Sequence, residues 1–154
     1  SNLLLGSTSA PLYAALLASG LGSPITDGMV SGNSVQPVFI AGLENVAPGN
    51  ASAVYSLVMG TLRDVREKGF SAEEVEAVVN TVLLAVKGAA SESSQWGVNL
   101  LLSLASTWVY ERDLVAAFEV SSQAEALMSR VRAGEDVFGP LIDEYFLDNA
   151  HQVE

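Results

Sequence analysis

The stretch Lys68-Gly69-Phe70-Ser71-Ala72-Glu73-Glu74 stops one helical pattern and starts another at once. Gly69 can take a left-handed conformation that closes a helix without a Cβ penalty, and Arg63, Arg66 and Lys68 bring positive charge to the negative end of that helix. Ser71 fits the N-cap of the next helix. Its hydroxyl can accept from the N–H of Glu74 while the Glu74 carboxylate accepts from the N–H of Ser71, which together make a capping box. The spacing predicts two helices joined at a tight corner.

Upstream of the corner, Asn50 is placed to cap a helix whose apolar positions Val54, Leu57, Val58, Leu62 and Val65 keep to one face. Downstream, Val75, Val78, Val79, Val82, Leu83 and Val86 repeat the pattern until Gly88-Ala89-Ala90-Ser91 interrupts it. A leucine-dense segment, 98–110, predicts a buried helix, with Trp96, Trp108 and Tyr110 around it as core rather than as a ligand cage. After Asp113, shorter helical patterns cover 114–118, 121–131 and 135–147, separated by Gly134 and disturbed by Gly139-Pro140.

Toward the start, the chain opens inside an element at Leu3-Leu4-Leu5. Pro11 and the recurrence of Leu12, Leu16 and Leu17 predict a helix over 9–19, with Gly20 and Gly22 marking its end. Between Ser23 and Glu44 the residues change to Ile25, Val30, Val35, Val38, Phe39 and Ile40, with Gly28, Gly32 and Asn33 as turn material, and two strands in a hairpin are expected. Pro37 lacks an N–H, so the second strand is expected to start there or to hold it at an edge. The order is helix, strand pair, then several helices. This predicts an α+β fold of two layers, an antiparallel or mixed sheet packed against several helices, in one domain over 1–154.

Composition narrows the function. The chain has 154 residues, of which 49% are hydrophobic and 16% charged, so a folded core is expected and disorder is not. No apolar run reaches the roughly 18 residues of a membrane span, and the start at Ser1-Asn2 lacks the pattern of a signal peptide. Neither a membrane partner nor secretion is expected. There is no cysteine, which removes disulfides, thiolate metal sites and cysteine nucleophiles and suits an intracellular, reducing compartment. The net charge of −11 repels a phosphate backbone, so nucleic acid is not a partner, whereas a basic peptide would be drawn to such a surface. Acidity kept only for solubility is the commoner use of such charge.

Catalytic candidates fall away one by one. The chain has a single histidine, His151, so a two-histidine zinc site cannot be assembled from it, and a Ser-His-Asp arrangement would hang on that one residue. His151 reads as a surface or strand-start residue. The pairs Glu73/Glu74, Glu135/Asp136 and Asp143/Glu144 are sequence neighbours, and adjacent residues of a helix do not face each other for acid/base work. Ser19-Gly20-Leu21-Gly22-Ser23 is glycine-rich, but it follows a helix and precedes a strand, the reverse of a phosphate loop. No catalytic, cofactor-binding or metal-ligating residue is assigned.

The segments around the corner resemble, in order and spacing, the repeated α/β domain of the pitrilysin/insulinase-type zinc metallopeptidases, in particular the presequence protease or falcilysin-like subgroup. The residues that carry the resemblance are Leu5-Gly6-Ser7-Thr8-Ser9-Ala10-Pro11-Leu12-Tyr13, Ser19-Gly20-Leu21-Gly22, Gln36-Pro37-Val38-Phe39, Gly42-Leu43 and Val46-Ala47-Pro48. They continue through Lys68-Gly69-Phe70-Ser71-Ala72-Glu73-Glu74-Val75-Glu76-Ala77, Asn80-Thr81, Trp108 with Tyr110, and Tyr145-Phe146-Leu147-Asp148-Asn149 before His151.

The resemblance implies a protein of two halves, each of two related domains, that closes around a chamber where unstructured peptides such as cleaved targeting presequences are cut. The family's zinc motif, His-x-x-Glu-His with a distal Glu, does not occur in this sequence. No metal ligand or cofactor is therefore expected in this chain, and zinc is expected in the whole protein. By position the chain resembles the second, non-catalytic domain of the first half. A leading strand, the beginning of the first helix and a strand after His151 would be missing from such a domain, which would leave sheet edges uncovered.

The role that the resemblance implies is that of a scaffold and chamber wall. Its partners would be other domains of the same polypeptide and unstructured, basic peptides, and its compartment the mitochondrial matrix or a plastid. A non-enzymatic relative like the core subunits of respiratory complexes, or a peptide-binding module, is the alternative. With its sheet edges uncovered, the isolated chain is expected to associate or to melt with low stability; light scattering showing a sharp monomer that also melts cooperatively would contradict this.

Overall fold

The computed structural model describes residues 1–26, 38–92, 96–110 and 119–153. Within these, helices dominate: α1 (Asn2–Leu5), α2 (Pro11–Ser19), α3 (Ala51–Lys68), α4 (Ala72–Glu92), α5 (Trp96–Val109), α6 (Val120–Arg132) and α7 (Gly139–Ile142), followed by a π-helical turn, π1 (Asp143–Leu147). A short antiparallel pair, β1 (Ile25–Thr26) and β2 (Gly42–Leu43), aligns Ile25 with Leu43 and Thr26 with Gly42. Bonds from the Ser23 N–H to the Glu44 carbonyl and from the Glu44 N–H to the Pro24 carbonyl, both 2.9 Å, extend it. The result is α+β, with a much smaller sheet among the described residues than expected. The described ladder on the second strand lies at Gly42–Leu43; Val30, the expected turn at 28–33, Val35 and Pro37 fall outside the described residues.

The chain divides into two compact units. The first comprises the described residues of 1–30, 38–71 and 135–154, and the second those of 72–134. The division falls at Ser71, on the stop-and-start signal itself.

In the first unit, α3 supplies the core. Val54, Met59, Leu62 and Val65 are buried on one face, while Arg63, Asp64, Glu67 and Lys68 are exposed. Leu4 of α1, Leu12 of α2 and Ile142 of α7 pack with Met59, Leu62 and Val65 in one cluster. Leu12 and Leu16, one turn apart, are fully buried, whereas Leu17 turns outward. The helix over 9–19 starts two residues late, at Pro11, because proline is suited to a first turn and needs no N–H partner there.

At the end of α3, the Gly69 N–H bonds to the Val65 carbonyl at 2.8 Å, and Gly69 has φ 70° and ψ −174°. Its φ is positive as expected, but its ψ is extended, a combination open essentially to glycine alone. Asn50 stands at the N-cap of α3 without a side-chain capping bond; the helix starts on its carbonyl, which accepts from the Val54 N–H at 3.1 Å.

The second unit holds α4, α5 and α6. Val75 is buried at the start of α4, and α4 packs against α6 around the buried Met128. The interruption expected at Gly88 does not occur, since α4 runs to Glu92. One glycine costs roughly 1 kcal/mol inside a helix, and the alanines that follow it, the best helix formers, carry the helix on. The expected buried helix at 98–110 is present as α5, but Val98, Leu101, Leu102, Trp108 and Val109 are all exposed, Trp108 at 73%. The helix over 121–131 is present as α6; 114–118 lies outside the described residues. The helix expected over 135–147 begins only at Gly139, because Pro140 can occupy nothing but a first turn, and it widens into π1.

Stability measurements on two substitutions separate core from cap. Leu62→Ala is expected to lose about 2–5 kcal/mol in urea unfolding, the range for emptying a buried leucine site. Gly69→Ala is expected to lose about 1–3 kcal/mol through backbone strain alone. An unchanged midpoint for Gly69→Ala would show that the helix end relaxes to another conformation.

Candidate functional site

The first unit contains a cleft of about 590 Å³ between α3, the segment 38–43 and the residues from Tyr145 onward. Val58, Met59 and Leu62 of α3 form one side of it. Opposite, Phe39 and Phe146 meet edge-on with ring centroids 4.8 Å apart, the arrangement that aromatic quadrupoles favour. Among the described residues that line the cleft there is no Asp, Glu, Lys or Arg. Such a wall can receive apolar groups, and it lacks the carboxylate pair that acid/base chemistry would need.

The π-helical turn explains how neighbouring residues serve different purposes. The Asp148 N–H bonds to the Asp143 carbonyl, five residues back, at 2.8 Å. In this widened turn Tyr145 and Phe146 both reach the cleft while Asp143 bonds to Arg66. Beyond it the chain is pinned by side chains. The Tyr55 hydroxyl donates to Gln152 Oε1 at 2.5 Å, and Gln152 Nε2 donates to the Phe146 carbonyl. Asn149 Nδ2 donates to the Tyr145 carbonyl at 3.0 Å, and its Oδ1 accepts from the His151 N–H at 2.8 Å.

Beside the cleft, Arg66 joins α3 to α7 and π1. Its Nε donates to Asp143 Oδ2 at 2.6 Å and its Nη1 to Asp136 Oδ2 at 3.2 Å, while Asp136 Oδ1 accepts from the Gly139 N–H at 2.8 Å. Gly139 is buried in the middle, and a Cβ there would stand 2.6 Å from Arg66 Nη1 and against the Asp136 carboxylate. The hydrogen bond to Asp143 raises the Arg66 pKa above its already high usual value. A pKa raised on folding gives stability that is complete below the unfolded value and lost only as pH rises through the folded one, so Arg66 contributes no pH dependence below about 12.

The residues singled out in the sequence are dispersed. His151 is exposed at the cleft margin, and 151–153 is not a strand. Glu73 and Glu74 are exposed in the first turn of α4, where their charge suits the helix dipole. Trp108 is exposed and Tyr110 half-buried, against the expectation of core, and the side chain of Trp96 is not among those described. In the glycine-rich stretch, Gly20 ends α2 in the left-handed region and the Ser19 hydroxyl bonds back to the Leu16 carbonyl at 2.7 Å, so the stretch is a helix terminator. Asp136 and Asp143, each half of an adjacent acidic pair, are brought together by Arg66.

No family model matches the chain. Among curated proteins, presequence protease 1 of Arabidopsis thaliana, described as chloroplastic/mitochondrial, is 34% identical over 99% of the chain. Nearly the whole chain thus aligns with a segment of presequence proteases. Mitochondrial presequence proteases of Mus musculus and Schizosaccharomyces pombe are each 28% identical, over 99% and 97% of the chain. The chain spans 14% of the plant protein's length and 15% of each of the other two.

Zinc is what the family resemblance implies for the whole protein. Among the described residues no three side chains of His, Cys, Asp or Glu converge to hold a metal ion. Among them also, no helix is long and apolar enough to cross a membrane.

The close contact at Gly139 is testable by coupling. Gly139→Ala is expected to cost about 1–3 kcal/mol, the usual penalty for an added methyl in packed surroundings. Because the methyl would displace the Asp136 carboxylate, a Gly139→Ala/Asp136→Ala double variant should lose less than the sum of the singles. Strict additivity in urea unfolding would show that the methyl is accommodated without touching Asp136.

Proposed function

We propose that this chain is a non-catalytic segment of a pitrilysin-type zinc metalloendopeptidase that degrades unstructured peptides, such as cleaved targeting presequences, in the mitochondrial matrix or a plastid. The alignment of nearly the whole chain with presequence proteases carries this reading. The segment acts as scaffold and chamber wall. The lack of a His-x-x-Glu-His motif in the sequence supports placing the chemistry elsewhere in the polypeptide, and the α+β arrangement is compatible with the pitrilysin-type domain.

Other domains of the same polypeptide are the proposed partners. The exposed apolar side chains of α5 support this, because a helix of 14 residues with no charged side chain is poorly suited to remain in water. The acidic balance, −11 overall, supports basic peptides as the substrate class.

The test compares the chain with the longer polypeptide that contains it. The chain alone should leave a fluorogenic presequence peptide intact with zinc added, while the longer polypeptide should cleave it and lose activity to a chelator. A longer polypeptide that lacks His-x-x-Glu-His and does not cleave would favour the non-enzymatic relative. Affinity of the chain for a basic peptide should fall as salt rises, and a salt-independent affinity would remove the electrostatic part of the reading.

A further inference from the structure

Within the second unit, α4 and α6 leave a groove of about 450 Å³ between them. At one end Arg132 Nη2 donates to Glu76 Oε1 at 2.9 Å, so the end of α6 meets the start of α4 and the two helices run in opposite directions. Lys87 lies 11 residues, three turns, beyond Glu76, and Ser121 lies as far before Arg132, which makes these two the other end of the same groove. The lining is sorted by depth. Val79, Leu83 and Ala124 are half-buried and Met128 is buried, forming an apolar floor, whereas Asn80, Lys87, Ser121 and Glu125 are exposed along the rims. The charges are sorted as well. Glu76 and Arg132 neutralise each other, but Lys87 and Glu125, on opposite helices, have no side-chain bond to another described residue.

We propose that this groove binds a short apolar peptide with free ends, its carboxylate at Lys87 and its ammonium at Glu125. A volume of about 450 Å³ is that of a small-ligand site. Because α4 and α6 are antiparallel, Glu125 stands level with Leu83, one turn or about 5.4 Å along the groove from Lys87. A single amino acid carries both charges on one Cα, whereas successive Cα atoms are about 3.8 Å apart, so the two rim charges suit the ends of a di- or tripeptide. Its side chains rest on Val79, Leu83 and Met128, and the Asn80 and Ser121 side chains offer hydrogen bonds to its backbone. A zwitterion satisfies both rims; a purely cationic or anionic ligand would be drawn to one and repelled by the other. The site requires binding alone and stands independently of the proposed peptidase role.

The probe is trileucine, titrated calorimetrically into the chain and, with a chelator present to prevent cleavage, into the longer polypeptide that contains it. Binding should weaken as salt rises and should shift the NMR methyl signal of Met128. Lys87→Gln should lower the affinity for trileucine about twofold to fivefold while leaving that for its C-terminal amide unchanged. Glu125→Gln should likewise weaken trileucine but not its N-acetyl derivative. Both residues are exposed and on different helices, so neither substitution disturbs the core and either variant suffices if the other fails to fold. No binding by the folded chain, equal affinity for trileucine blocked at both ends, an unmoved Met128 signal, or variants that bind as the unaltered chain does would each overturn the proposal. So would loss of binding in the longer polypeptide, since another part of it would then cover the groove.

Discussion

Leu62 is 2% exposed and lies on the face of α3 that meets Leu4, Leu12 and Ile142, residues drawn from three other helices. Those helices come from the two ends of the sequence, and α1 and α7 are too short to hold a helical form in water unaided. Their order depends on the apolar face of α3. One turn beyond Leu62 the same helix presents Arg66, whose fork matches carboxylates in fixed directions and sets how α7 and π1 are aligned on that core. Burial without direction comes from the leucines, and direction from the guanidinium. The missing side chain at Gly139 permits both at once, since the turn that carries Ile142 inward must pass beside the arginine.

Much of this was legible where local rules suffice. The ends of α2 and α3 and the start of α4 follow from proline, glycine, serine and charge placed within a few residues of each other. Where a rule was applied to one residue and its neighbours outweighed it, the expectation failed. Gly88 is an example, set within a helix that the next alanines sustain. The exposed face of α5 failed for another reason. Hydrophobic periodicity says that a surface wants to be covered, and it does not say by what.

The cleft and its surroundings were less legible. Asp136 and Asp143 each stood beside another acid, and nothing local shows that Arg66, 70 and 77 residues away, would select one from each pair. The π-helical turn has no recognised sequence signature, so the shared approach of Tyr145 and Phe146 to one cleft could not be foreseen. What the sequence did carry was the family. Its short motifs are individually common, and the alignment with presequence proteases over nearly the full chain supplied what they lacked.

The first unit is assembled from chain on both sides of residues 72–134, so its closure encloses a long detour. Loop-closure entropy grows only logarithmically, about 0.6 kcal/mol for each doubling of length, so the size of the detour costs the equilibrium little. Kinetics are another matter, because contacts between residues far apart in sequence form late. The Arg66 contacts belong to that class. During synthesis α1 and α2 can cover part of the apolar face of α3 as it emerges, while the part that Ile142 and Phe146 meet waits until the residues after 134 arrive; the interval in which that part is open to aggregation is thus set by how long residues 72–134 take to be made.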